Sequence, residues 1–297
     1  MKAVRTPDER FLDLPGYAFQ ANYVDIDGLR MHYVDEGPRH GDIMLLLHGE
    51  PSWSYLYRKM IPPLAAAGFR VIAPDLIGFG KSDKPVSIDD YSYLGHVNWM
   101  TKFVDKLDLD GITLFCQDWG SLIGLRVAAE NSHRFARIAV GNGALPTGDG
   151  EPPKAFRVWR AFARSSPWFP IGRIVDKGTV SDLSDDVIAA YDAPFPSSRY
   201  KAGARAFPRL VPTTTDDPAR QANIEAWTSL RNWQKPFLTT FSDRDPITRG
   251  LEKTFHEQVP GAKGEAHVTI RNAGHFLQED KGEELADVLL AFSAPGT

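Results

Sequence analysis

Asp118, Asp245 and His275 are three side chains that could do chemistry together. Asp118 lies in Gln117-Asp118-Trp119-Gly120-Ser121, between the apolar run 112–116 and a segment rich in small and apolar residues. A sharp strand–turn–helix junction presents its central side chain over the first helical amides. It needs small neighbours, because helix and strand approach closely. A carboxylate there is already ionised near neutral pH, with a reference pKa of about 3.9. It can attack a saturated carbon without a base. It attacks esters and amides poorly, because collapse of the adduct returns the starting acyl group. An Asp at this turn therefore points away from esterase, lipase and peptidase chemistry.

His275 sits in Asn272-Ala273-Gly274-His275-Phe276, and Asp245 in Ser242-Asp243-Arg244-Asp245-Pro246. A histidine works as a base when its second ring nitrogen is held by an acceptor. Asp245 is placed for that role, with Asp243 two residues upstream as its rival. Alone, Asp118 reads as a helix cap and His275 as a structural histidine. The chain order nucleophile, acid, histidine changes both readings.

These side chains need a frame. Residues 22–35 read as two short strands joined at Asp27-Gly28, a tight-turn signal. The runs at 43–47, 70–73, 112–116 and 137–141 are apolar without alternation, as strands covered on both faces are. Helical spacing follows at 93–107 and 121–130. Alternating strands and helices imply a mostly parallel sheet with helices on both sides. Such sheets bind ligands beyond the carboxyl ends of their strands. That rule selects His48-Gly49-Glu50-Pro51, Asp75, Asp118-Trp119, Asn142, Asp243, Asp245 and His275. From about 146 to 222 the texture becomes Pro-rich and helical, with Ser181 or Ser184 as a helix cap. Strand character returns at 236–241 and 267–270, and a helix at 281–292 closes the chain.

Composition narrows the function classes. Of 297 residues, 42% are hydrophobic and 24% charged, which suits a folded globular chain. The net charge of -4, from 34 basic and 38 acidic residues, disfavours a nucleic-acid partner. The single cysteine, Cys116, excludes an internal disulfide and reads as a buried inert thiol. No apolar stretch approaches the roughly 20 residues that span a bilayer, and no leader pattern opens the chain. The expectation is a cytoplasmic monomer with no membrane association. The GxGK fragment at 78–81 lacks the Walker spacing, and no HExxH pattern occurs, so no metal and no cofactor is expected. His32, His40, His96, His133 and His256 show no clustered partner in the sequence, and His48 reads as a packing residue.

HGEPSWSYLYRKMIP at 48–62, APDLIGFGKSDKP at 73–85, QDWGS at 117–121, YDAPFPSSRYKAGARAFP at 191–208 and NAGHF at 272–276 resemble the haloalkane dehalogenases of the α/β-hydrolase superfamily. The HGEP form resembles the branch acting on small haloalkanes. The resemblance implies a mostly parallel eight-stranded sheet flanked by helices. It places a helical cap at 147–222 between core segments 1–146 and 223–297. It implies that Asp118 displaces halide from a short haloalkane and forms an alkyl ester. His275, oriented by Asp245, then activates water, and alcohol leaves. Backbone N–H groups of Glu50 and Trp119 would form the oxyanion hole. Trp119 and a cap tryptophan would hold the halide. Phe156-Arg157-Val158-Trp159 matches the cap pattern, so Trp159 takes that role, with Trp168 competing. Phe156 and Phe162 would line the pocket. The Glu50 side chain could pair with Arg58. Some family branches place the acid near position 142, but Asn142 stands there.

Two other readings stay open at this point. An epoxide hydrolase shares the Asp turn and needs cap tyrosines, for which Tyr191 and Tyr200 are available. A non-catalytic relative used for binding would be expected to have lost a member of the triad. A haloacid dehalogenase would want an arginine pair near the turn, and none is there.

Overall fold

The computed structural model describes residues 1–294. Strands β1 (Asn22–Ile26) and β2 (Leu29–Glu36) form an antiparallel hairpin. Asp27 and Gly28 at its turn have φ of 55° and 80°. Two successive left-handed residues match the twist of a two-residue hairpin, which is why Asp-Gly marks it.

The other strands are β3 (Ile43–Leu47), β4 (Arg70–Pro74), β5 (Ile112–Asp118), β6 (Phe135–Gly143), β7 (Phe237–Ser242) and β8 (Val268–Ile270). They form one eight-stranded sheet in the order β8-β7-β6-β5-β3-β4-β2-β1. β2 runs antiparallel to both neighbours, and all pairings from β4 through β8 are parallel. The central β3 and β5 are buried along nearly their whole length, as their unbroken apolar sequences require. A two-residue ladder, Ala3–Val4 against Lys84–Pro85, lies outside this sheet. No apolar periodicity announces it.

Helices α1 (Ile61–Ala66), α2 (Tyr93–Lys106) and α3 (Trp119–Glu130) belong to the first half of the core. Between β6 and β7 the chain is helical: α4 (Lys154–Ser165), α5 (Ile171–Lys177), α6 (Asp185–Asp192), α7 (Ala202–Leu210) and α8 (Arg220–Leu230). Of the two candidate caps, Ser184 begins α6: its hydroxyl accepts from Val187 N, and Asp185 and Asp186 fill the first turn. Acidic groups at a helix N-terminus are favourable against its dipole. α4 to α7 form the inserted helical cap. α9 (Glu252–Gln258) and α10 (Leu277–Ser293) follow. α10 starts four residues before the expected position, with a kink at Lys281, so its first turn directly follows the His275 loop.

The α3 helix also begins earlier than its periodicity suggests, at Trp119. The reversal is made by a single residue, Asp118, with φ 51° and ψ -125°. A non-glycine residue there is strained, and such strain is kept where it serves a site. Gly120 explains how the helix fits. A Cβ at Gly120 would lie 2.0 Å from the Leu47 carbonyl oxygen, so only glycine lets α3 sit on the end of β3.

Candidate active site

Asp118, Asp245 and His275 meet beyond the carboxyl ends of β5, β7 and β8. His275 Nδ1 lies 3.0 Å from Asp245 Oδ2. His275 Nε2 lies 3.4 Å from Asp118 Oδ2. Asp245, fully buried, also accepts from Ile247 N at 2.8 Å and Thr248 N at 3.1 Å, and from the Thr248 hydroxyl. Burial opposes its charge, but His275 and these donors outweigh it and hold the carboxyl below its usual range. Burial likewise opposes charge on His275. Asp245 and Asp118 on either side outweigh it and raise the imidazole to about 10. The rival Asp243 stays outside this chain of contacts, where it accepts from Ala273 N at 3.4 Å.

The loop expected to supply an oxyanion-hole N–H is built by the residues after β3. Glu50 N donates to Asp118 Oδ1 at 2.7 Å. Trp119, the first residue of α3, has a backbone N–H with no intrahelical acceptor. The aromatic-rich SWSYLY segment makes this loop rigid. Tyr57 Oη donates to Leu47 O at 2.7 Å, tying the segment to β3. Ser54 N donates to Asp75 at 2.8 Å, and Trp53 stacks on Tyr55. Each fully buried aromatic side chain of this kind is stabilising by roughly 1.5–3 kcal/mol. The Glu50 N–H is therefore held in place against Asp118.

A cavity of about 1220 Å³ opens over Asp118. Glu50, Trp119, Phe156, Trp159, Phe162, Trp168 and His275 are among its walls. Trp119 is nearly buried, edge-on to Tyr93 and against Phe207. Trp159 is half-buried in a cluster with Phe162 and Phe169. Trp168 is 68% exposed at the rim. Tyr191 is fully buried, with its hydroxyl donated to Glu279.

Three expectations change. Arg58 does not pair with Glu50; its guanidinium binds Glu279 in a fork, with Nη2 at 2.9 Å. The Glu50 side chain, 4% exposed, has an Oε1 with no hydrogen-bond partner. Burial, then the Asp118 charge, push its carboxyl well above the usual range, against opposing contributions from His275 and the Trp159 indole. His32 does have a partner: Nδ1 lies 2.8 Å from Asp75, and both are buried. Asp75 also accepts from Ser54 N and Lys81 N, so it braces the loop after β3 from below. His256 also has one, stacking on His267 with ring centroids 4.0 Å apart.

Gln117 and Asn142 were in view in the sequence, but their supporting contacts were not. Gln117 Nε2 donates to the His275 carbonyl at 3.1 Å. Asn142 Nδ2 donates to the Gly274 and His275 carbonyls at 2.9 Å and 3.0 Å. An amide at 142 thus supports the histidine loop, and the carboxylate facing His275 Nδ1 comes from the loop after β7.

The fold and this arrangement define a hydrolase-type α/β protein, and the family described as alpha/beta hydrolase fold matches residues 42–282. The haloalkane dehalogenases of Psychrobacter cryohalolentis and Mycobacterium marinum are 58% and 57% identical to it over 297 residues. These matches cover 98% of this chain and 98% and 100% of theirs. The tetrameric structure of haloalkane dehalogenase DpaA from Paraglaciecola agarilytica NO2 superposes with a TM-score of 0.93. It is 38% identical, covering 99% of this chain and 100% of that one. The chain belongs to the haloalkane dehalogenase family. Among the described residues, no helix is long and apolar enough to cross a membrane.

Proposed function

We propose that this carbon–halide hydrolase acts on short haloalkanes through a covalent alkyl ester on Asp118, giving halide and a primary alcohol. The observation that carries the reading is His275 held between Asp245 at 3.0 Å and Asp118 at 3.4 Å. Asp118 Oδ1 is engaged by Glu50 N–H, which leaves Oδ2 to attack carbon. Halide departs into the cavity, where the Trp119 and Trp159 N–H groups are its donors. Indole suits this task, because it donates without carrying charge and presents an apolar face that excludes water. Phe156 and Phe162 supply the apolar wall beside it.

In the second step His275 takes a proton from water, which attacks the ester carbonyl carbon. The oxyanion forms on Oδ1, facing the Glu50 and Trp119 N–H groups. Collapse returns the Asp118 carboxylate and releases alcohol, while Asp245 balances the imidazolium charge. No cofactor or metal enters these steps.

The engagement of Tyr191 with Glu279 counts against an epoxide hydrolase, whose cap tyrosines must face the substrate oxygen. A cavity of about 1220 Å³ exceeds the roughly 300–1,000 Å³ of ordinary ligand sites, so chain length deserves direct assay. We read core segments 1–146 and 223–297 as flanking a cap at 147–222, whose last residues already belong to α8. A monomer in the cytoplasm completes the reading, a reducing compartment suiting the lone buried thiol.

The test is a parallel assay of 1,2-dibromoethane, longer bromoalkanes and styrene oxide, measuring halide and diol. Halide release without diol formation is expected. Diol from styrene oxide with no halide from any bromoalkane overturns the proposal.

A further inference from the structure

The first turn of α10 follows His275 at once and carries two carboxylates that face different partners. Glu279 is buried and takes the Arg58 guanidinium and the Tyr191 hydroxyl of α6. Asp280 collects backbone N–H groups from two separate segments. Gly274 N, just ahead of His275, donates at 2.8 Å. Val180 N and Ser181 N, in the strap between α5 and α6 of the cap, donate at 3.0 Å and 2.8 Å. Amide bonds to a carboxylate are charge-assisted and stronger than neutral ones.

Strap and histidine loop also touch directly. Phe276 N donates to Gly178 O at 3.3 Å. A Cβ at Gly274 would lie 2.3 Å from Gly178 O, and one at Gly178 would lie 2.6 Å from the Phe276 ring. The two backbones therefore meet with no side chain between them. Gly178, Thr179 and Val180 wall the cavity on one side of this seam, and Gly274 and His275 on the other.

We propose that Asp280 is a positioning residue for His275, fixing the histidine loop against the cap strap so that the base is aligned only while the cap is seated. The inference rests on the reading of His275 as the base of ester hydrolysis. It separates the two chemical steps. Halide displacement needs Asp118 and the halide donors. Hydrolysis also needs His275 within reach of a water beside the ester.

The experiment follows the halide burst and the steady state with 1,2-dibromoethane in the full-length chain, with intact mass read after quenching. Asp280→Ala removes the shared acceptor. Val180→Pro removes one strap N–H and leaves Asp280 and Gly274 in place. Burst amplitude reports the fraction of competent sites, so partial misfolding is corrected for. In Asp280→Ala the burst rate is expected to stay near wild type, while hydrolysis slows about 10- to 100-fold. Alkyl-enzyme then accumulates, and kcat and KM fall together with kcat/KM unchanged. Val180→Pro should show the same pattern more weakly. If kcat/KM falls as far as kcat, Asp280 only supports the fold and the proposal is overturned. Wild-type hydrolysis in Val180→Pro removes the cap from it. His275→Phe is the reference: if that variant traps no alkyl-enzyme, the underlying mechanism fails as well.

Discussion

Gly49 and Asp118 are in direct contact: a Cβ built on Gly49 would lie 2.3 Å from Asp118 Oδ1 and 2.4 Å from its Cβ. The loop after β3 approaches the strained turn so closely that only hydrogen fits between them. Gly49→Ala should push the carboxylate off the Glu50 N–H, and displacements of this size cost on the order of 100-fold in rate. Burst-phase halide release, compared with the thermal midpoint, checks this. Full activity in the alanine variant would mean that the loop can retreat.

The proposed halide donor in the cap can be tested by substitution. Trp159 lies within an aromatic cluster over the cavity, whereas Trp168 is 68% exposed. A hydrogen bond to a charged group is worth about 1.5–3 kcal/mol, so Trp159→Phe should raise the bromide Kd by about 10- to 100-fold. Trp168→Phe should leave it within about twofold, since exposed substitutions have small effects. Fluorescence quenching by bromide measures both.

The histidine should respond to the charge on its neighbour. Asp245 and Asp118 raise His275 to about 10 against the effect of burial. Asp118→Asn removes one of those charges and should move the His275 titration downward, as read by NMR of the imidazole. In the proposed mechanism ester formation neutralises the same carboxylate, which would free the base when hydrolysis needs it. The sign for stability follows from linkage. A raised imidazole stabilises the fold fully below its unfolded pKa of about 6.5. That contribution is lost as pH rises from there through about 10. Denaturant midpoints across this window should fall less in Asp118→Asn than in the wild type.

Glu50 lines the cavity with an unpartnered oxygen and a carboxyl pushed well above its usual range by burial and by Asp118. Surroundings that disfavour the charge of this carboxyl should accept an uncharged amide of the same shape in its place. Glu50→Gln should therefore keep kcat/KM within about threefold, an effect of well under 1 kcal/mol. Glu50→Lys, by contrast, places a cation in the field of the Asp118 carboxylate and should abolish turnover by pairing with it. A large loss in the glutamine variant would show that the acid itself takes part.

Much of this architecture was legible along the chain. The apolar runs of β3 to β6, the Asp27-Gly28 turn and a serine cap at 181 or 184 act within a few residues, and local backbone preferences suffice to announce them. The order of Asp118, Asp245 and His275 was readable for a related reason. In a parallel sheet every strand ends on the same side, so residues after successive strands converge. The pairings across the fold were not readable. Arg58 stands eight residues from Glu50 and yet binds Glu279 of α10, and His32 meets Asp75 across β2 and β4. The choice between Trp159 and Trp168 and the three amides on Asp280 depend on how the cap settles on the core. Charged and polar side chains can reach many partners of similar energy. Only the packed arrangement of distant segments, with water excluded between them, selects one.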